Sequence, residues 1–298
     1  MVGAMNIGEK IRSLRVAKLM TQSDLAGNQI TRNMLSSIEN GNAQPSLSTI
    51  LYIAERLNVP AGFLLAEEGD EIVYQKMNNL SNIKRAYKAG DLTGCRGLCL
   101  SSCPEADDEI RLLLANCDLG IAKDFFWKGR IRLACRYFDE ALLYAEETLY
   151  PMPHVRAEAA VYFRYMQRLS PTLYSDVMDE DDGGEYSCKD AFAAYVDALD
   201  ALDRGSETEA MDYGERFLEE RGFFAEHLRI RRMMSAKHYR EAGEALSELL
   251  RGEAPLNEVE LYAVLSDLEA CSKEIEDYKE AYRFSNERVQ LLEALLKN

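Results

Sequence analysis

The chain has 298 residues, 47% hydrophobic and 29% charged, a balance typical of a soluble globular protein with room for two domains. No run of 18 or more apolar residues occurs and the first residues lack an apolar leader core. A membrane span and a secretion signal are therefore not expected, and a cytoplasmic location is. The net charge of −16 is unevenly spread: residues 1–66 hold six basic and four acidic side chains, net +2, and the remainder 29 basic and 47 acidic, net −18. Contact with a phosphate backbone needs local positive charge, so only the first segment is suited to it.

Seven cysteines without a secretion signal read as reduced thiols rather than a disulfide framework. There is no C-x2-C pair, and His154, His227 and His238 are scattered, so neither a structural zinc site nor any cofactor is expected.

In chain order, Ile7, Ile11 and Leu14 share one face and predict a helix to about Lys18. Thr21 caps a brief second helix, Gln22–Ala26, and Gly27-Asn28 signals a turn. Thr31 caps a third helix that runs to Glu39 and stops at Asn40-Gly41. Pro45-Ser46 opens a fourth, with Leu47, Ile50, Leu51, Ala54 and Leu57 as its expected buried face. Asn58-Val59-Pro60 ends it, and Ala61–Leu65 forms a short fifth turn.

A short helix, a tight turn and a second helix of about two turns is the arrangement that reads a DNA major groove. On the third helix Leu35 and Ile38 point inward, which leaves Arg32, Asn33, Ser36 and Ser37 for base edges and phosphates. Three stretches, Thr21–Ala26, Thr31–Gly41 and Pro45–Ile50, together resemble the phage-repressor (Cro/repressor, xenobiotic-response-element) helix-turn-helix family over roughly residues 6–66. The resemblance implies that Gln22 contacts a phosphate, that Arg32, Asn33 and Ser37 read bases, and that Asn40 meets the backbone. With Ser23, Thr31 and Ser36 these make the candidate DNA-binding set. It also implies a structural ion pair between Arg15 and Glu39. The stretch from Ala26 to Thr31 is one residue shorter than the common pattern, which alters the turn before the third helix.

Beyond Glu67-Glu68-Gly69-Asp70 the chain reads as helical throughout, with no period-two stretch of strand length. One unit stands out: Ile121-Ala122, Phe125, Gly129, Ala134, Phe138 and Ala141-Leu142 resemble the tetratricopeptide repeat, small residues letting paired helices approach. Corresponding turns fall at Gly90-Asp91, Gly205-Ser206, Lys237-His238-Tyr239 and Glu276-Asp277-Tyr278. Each has a small residue five positions after its reference: Cys95, Ala134, Ala210, Ala242 and Ala281. A degenerate member is expected near Arg156–Met178. The expected fold is all-α: a five-helix helix-turn-helix domain, residues 5–68, then a tetratricopeptide-like α-solenoid, residues 71–298.

That combination resembles the peptide-responsive quorum-sensing regulators of Gram-positive bacteria. It implies a DNA-binding transcription regulator, with double-stranded DNA as partner, whose repeats bind a signal peptide or protein and form a homodimer. Candidate ligand contacts on first helices of repeat pairs are Asn116, Lys123, Tyr162, Tyr165 and Tyr195. The alternative is an interaction scaffold whose repeats dock a partner and whose first domain has no DNA role. Cys95, Cys99 and Cys103 line one helical face, where packing is favoured over metal or redox chemistry. Asp179–Glu185 reads as a solvated acidic insertion, since glycine stands where a calcium loop needs a third acid. No nucleophile-base set, Walker loop or dinucleotide-binding glycine pattern is present, so an enzyme is not expected.

Overall fold

The computed structural model describes residues 6–66, 70–103, 106–171, 173, 190–210, 212, 222–252 and 255–297. Among these the chain is all-α, with fifteen helices and no strand. It packs as two compact units, Met1–Ile110 and Arg111–Asn298. The acidic stretch 179–185 and part of the expected degenerate repeat lie outside the described residues.

The first five helices are α1 (Ile7–Ala17), α2 (Gln22–Ala26), α3 (Arg32–Glu39), α4 (Leu47–Leu57) and α5 (Ala61–Leu65). Side-chain caps fix their starts. Asn6 Oδ1 accepts from the Glu9 amide at 3.0 Å, and the Asn6 amide donates to Glu9 Oε2 at 2.9 Å. Thr21 and Asp24 form a second reciprocal box, while Thr31 and Ser46 each accept from the amide three residues on. The ends are equally local. At Leu19, Gly41 and Asn58 the backbone turns left-handed, and two returning amides satisfy the carbonyls of the helix just finished.

Ile11, Leu25, Leu35, Ile38, Ile53, Leu57 and Leu64 form the core of this bundle. The buried stripe of α4 differs from the expected one. Leu47 and Leu51 are 65% and 53% exposed, and Ile53 is fully buried in their place. The stripe that packs is Ile50, Ile53, Ala54 and Leu57, at i, i+3, i+4 and i+7. Leu51, a step of about 100° from Ile50, turns out of it.

The remaining helices are α6 (Asp70–Lys88), α7 (Leu92–Ser102), α8 (Asp108–Trp127), α9 (Ile131–Glu147), α10 (Pro153–Leu169), α11 (Ala191–Asp203), α12 (Phe223–Ser235), α13 (Tyr239–Arg251), α14 (Glu258–Glu274) and α15 (Tyr278–Lys297). The five turns expected from the repeat pattern share one conformation. φ is +75° at Gly90, +71° at Gly129, +78° at Gly205, +65° at Lys237 and +63° at Glu276. At each, that residue's amide donates three residues back and the next amide five back, as from Gly129 to Phe126 at 3.0 Å and from Arg130 to Phe125 at 2.9 Å. The small residue five positions on is buried every time: Cys95, Ala134, Ala210, Ala242 and Ala281. These are tetratricopeptide-like helix pairs. Within the second unit Phe126, Tyr162, Tyr165, Phe192 and Tyr195 form a continuous aromatic core, with ring centroids 4.8–6.4 Å apart.

Candidate functional site

Two places on the molecule gather functional groups. On α3, Leu35 and Ile38 are buried, which turns Arg32 and Asn33 to solvent and leaves Ser36 and Ser37 half-buried. Thr31 and Asn40 are exposed at the two ends of the helix. The Thr31 hydroxyl accepts from the Met34 amide at 3.1 Å, so it serves as the cap. On α2, Ser23 is exposed and Gln22 half-buried.

A buried ion pair holds this surface in place. Arg15 Nε donates to Glu39 Oε1 at 2.7 Å and Arg15 Nη2 to Oε2 at 2.9 Å, the planar fork meeting the carboxylate edge on. Arg15 Nη1 donates to the Met20 carbonyl at 2.9 Å, tying the same guanidinium to the turn before α2. Gln22 Nε2 donates to Glu39 Oε2 at 2.8 Å, so its amide joins this network. Burial alone would raise the Glu39 carboxyl. The bonds from Arg15 and Gln22 and the Arg15 and Arg12 charges outweigh that and hold it below the usual carboxylate range.

The shortened turn is built on Gly27, at φ +55° and ψ −136°, a conformation that belongs to glycine. Tyr52 Oη on α4 donates to the Ala26 carbonyl at 2.9 Å, and Arg56 donates to the Asp24 carbonyl. A β-carbon at Gly27 would overlap the Tyr52 hydroxyl. The missing residue is thus absorbed by a clamp from α4, and α3 keeps its start at Arg32.

The second place is a cavity of about 270 Å³ in the second unit, walled by α10, α11, α12 and α14. Tyr165, Tyr195 and Tyr262 line it together with Arg168, Arg231, His227 and Asp267. Ion pairs run through its wall and beyond. Arg164 meets Asp197 at 2.8 Å and Asp200 at 3.1 Å, and Arg168 meets Asp200 as well as Asp203, the latter at 2.7 Å. Arg231 meets Asp203 at 2.6 Å and Asp267 at 2.8 Å. The Tyr195 hydroxyl and His227 Nδ1 share a 2.7 Å hydrogen bond, and burial pushes the phenol well above its ordinary value. His227 Nε2 lies 3.1 Å from Asp267 Oδ2, which places the histidine at the end of the chain of pairs. Burial would raise the Asp267 carboxyl, but His227 and Arg231 hold it below its ordinary range.

Of the five ligand candidates, the structure brings Tyr165 and Tyr195 together on this cavity. Tyr162 sits in the aromatic core and is not among its lining residues. Asn116 lies elsewhere on α8, its amide donating to the Leu112 carbonyl at 2.8 Å and its Oδ1 2.9 Å from His154 Nε2. Lys123, also on α8, pairs with Glu158. Arg168, His227, Arg231, Tyr262 and Asp267 escaped the sequence reading. A faint signal existed: Arg164 and Arg168 share a face of α10, and Asp197, Asp200 and Asp203 share one of α11.

The cysteine face is packed. Cys95, Cys99 and Cys103 are buried, and burial together with the Cys95 thiol pushes Cys99 up to about 12, far from thiolate chemistry. Among the described residues no group of three or more His, Cys, Asp or Glu side chains is placed to hold a metal ion. No helix among them is long and apolar enough to cross a membrane.

Residues 11–64 match the helix-turn-helix family. This segment is a helix-turn-helix domain. No curated protein matches the chain in sequence. Solved structures with some likeness include PlcR of Bacillus thuringiensis in complex with a peptide and DNA, 14% identical over 99% of this chain and 100% of that one, TM-score 0.24. ComR of S. thermophilus, in complex with DNA and its signalling peptide, is 15% identical over 96% and 99%, TM-score 0.23. The pheromone receptor Rgg2 of Streptococcus dysgalactiae is 13% identical over 96% and 99%, TM-score 0.20.

Proposed function

We propose that the protein is a sequence-specific DNA-binding transcription regulator whose second unit senses a ligand. The observation that carries the first half is α3 itself. Its start presents Arg32 and Asn33 to solvent on a helix whose opposite face is locked into the core and whose end is clamped through Glu39. An arginine and an asparagine at the start of such a helix suit guanine and adenine edges in a major groove. Ser36, Ser37, Ser23, Gln22, Thr31 and Asn40 surround them as phosphate and base contacts. The charge split, net +2 over residues 1–66 and −18 beyond, supports the same placement.

The ligand half rests on the cavity, whose four walls include the first helices α12 and α14 of two repeat pairs. A peptide is the occupant we favour, because successive first helices offer side chains along an extended chain. The functional division we propose is residues 5–68 for DNA and 71–298 for sensing and dimerisation. It lies N-terminal of the packing division at Ile110 and Arg111. As a homodimer the protein would present two recognition helices about 34 Å apart, one turn of B-DNA.

The test is selection from a randomised duplex pool, followed by affinity measurement at fixed salt. Wild type should enrich a (pseudo)palindromic site. Arg32→Ala and Asn33→Ala should each lose roughly 1–3 kcal/mol of discrimination at one base pair with the fold intact. Failure of the wild type to enrich any sequence rules the reading out.

A further inference from the structure

We propose that an exposed stripe on α15 docks a second copy of this chain, with the two helices antiparallel about a two-fold axis. This rests on the homodimer of the reading above and gives it a surface and a direction. One face of α15, carrying Ala281, Phe284 and Leu295, is buried in its own unit. A second stripe lies about 100° around the helix from it. It runs Tyr278, Tyr282, Ser285, Val289, Leu292, Leu296, at steps of four, three, four, three and four residues. That alternation holds a seam on one side of a helix, and it is the spacing by which paired helices interlock. Tyr278, Tyr282 and Val289 are 68%, 76% and 45% exposed, and Leu292 and Leu296 are half-buried.

Scattered exposed apolar side chains are ordinary, but a row of them in register marks an interaction surface. The length of the row sets what can cover it. α15 has 20 residues and is about 30 Å long, so its seam spans fewer than three heptads. Helices this short pair weakly when association must also order them. Here packing has already ordered α15, with Phe284 in one core cluster of the unit and Leu295 in another. The seam therefore associates without that cost.

The stripe complements itself when reversed. Antiparallel pairing sets Tyr278 against Leu296 of the other copy, Tyr282 against Leu292, and Ser285 against Val289. Every layer then joins a larger side chain to a smaller one, and the seam keeps an even girth. Parallel pairing would crowd the tyrosines of both copies at one end and face serine with serine. The flanking charges agree. Lys279, Asn286 and Glu293 recur every seven residues along the edge of the stripe away from the buried face, and all three are exposed. In the antiparallel pair that edge meets its own reverse, so Lys279 faces Glu293 and Asn286 faces Asn286. In a parallel pair it would face the edge with buried Ala281 and Leu295, where Arg288 is already held by Glu269.

The experiment uses the full chain, with light scattering and sedimentation across micromolar concentrations and circular dichroism to check the fold. Wild type should be a dimer. Tyr282→Glu puts a charge into the seam from an exposed position, so helicity should hold. The dimer dissociation constant should rise on the order of tenfold or more. Lys279→Glu and Glu293→Lys should each weaken the dimer several-fold, and the double variant, which exchanges the two charges, should recover it. A monomeric wild type, a dimer indifferent to Tyr282→Glu, or a double variant no tighter than either single one overturns the inference. Indifference to Tyr282→Glu in a dimeric protein would leave the homodimer standing on another surface. A monomeric wild type would remove the homodimer as well, and selection of a duplex site tests DNA binding apart from both.

Discussion

The two units bury charge in opposite ways. In the helix-turn-helix domain Glu39 and Arg15 form a closed system, with both carboxylate oxygens and all three guanidinium nitrogens partnered by Arg15, Gln22, Glu39 or the Met20 carbonyl. In the second unit Arg164, Arg168 and Arg231 each meet two carboxylates, in a chain that runs along a cavity wall and ends at Asp267, 3.1 Å from His227 Nε2. A closed pair is a structural clamp, because nothing remains for a ligand to satisfy. A chain of pairs instead shares each guanidinium between two carboxylates, so no single partner carries it.

The sharpest way to break this comparison is to remove one carboxylate from each unit. Glu39→Ala leaves the Arg15 guanidinium, whose side chain is 12% exposed, without its partner, and should cost about 3–5 kcal/mol. Hydrogen exchange of α1 to α3 amides reads it as local opening. Asp267→Asn keeps an oxygen for Arg231, which also retains Asp203, so it should cost only about 1–2 kcal/mol by urea titration of Trp127 fluorescence. Equal costs would erase the distinction. The pH dependence follows with its sign. The Glu39 carboxyl is held below its ordinary 4.5, so its stabilisation is complete above that value. It disappears as pH falls through the lower folded value. Protection of α1 to α3 should therefore fall in acid for wild type and depend less on pH in Glu39→Ala.

The same contrast explains what the sequence made legible. The bounds of α2, α3 and α5 agree with the sequence reading, because capping side chains and turn residues mark those ends locally. The Arg15–Glu39 pair was legible through a resemblance that fixed positions. The face of α4 was not, because apolar residues at 47, 50, 51, 53, 54 and 57 cover more of the helix than one stripe can bury. The cavity was least legible. Its arginines and aspartates stand three or four apart, as solvated helix charges also do, and only the packing of four separate helices converges them. Tyr162 and Tyr165 looked equivalent in sequence, yet only Tyr165 reaches the cavity.

A second prediction of smaller size concerns the turn that aims α3. Gly27→Ala places a β-carbon against the Tyr52 hydroxyl at φ +55°, ψ −136°. Strain of this kind costs about 1–3 kcal/mol. The α4 clamp must yield, so specific DNA affinity should fall as well. Tyr52→Phe removes the hydroxyl and should restore part of the loss in the double variant. Additive effects of the two substitutions would show that the clamp does not set the turn.

The smallest effect lies at the repeat turns. All five repeat turns need a left-handed residue, but only three have glycine; Lys237 and Glu276 adopt φ +65° and +63° with a β-carbon. A non-glycine residue in this region costs about 1 kcal/mol relative to glycine, offset in part by the greater chain entropy that glycine has when unfolded. The Lys237 side chain is exposed, so replacing it sacrifices no packing. Lys237→Gly should therefore stabilise the second unit by about 0.5–1 kcal/mol, seen as a higher urea midpoint of Trp127 fluorescence at unchanged slope. It should leave exchange from α1 to α3 unaltered, because those helices belong to the other compact unit with a core of its own. A loss of stability would mean that the Lys237 side chain contributes more at this turn than its backbone conformation costs.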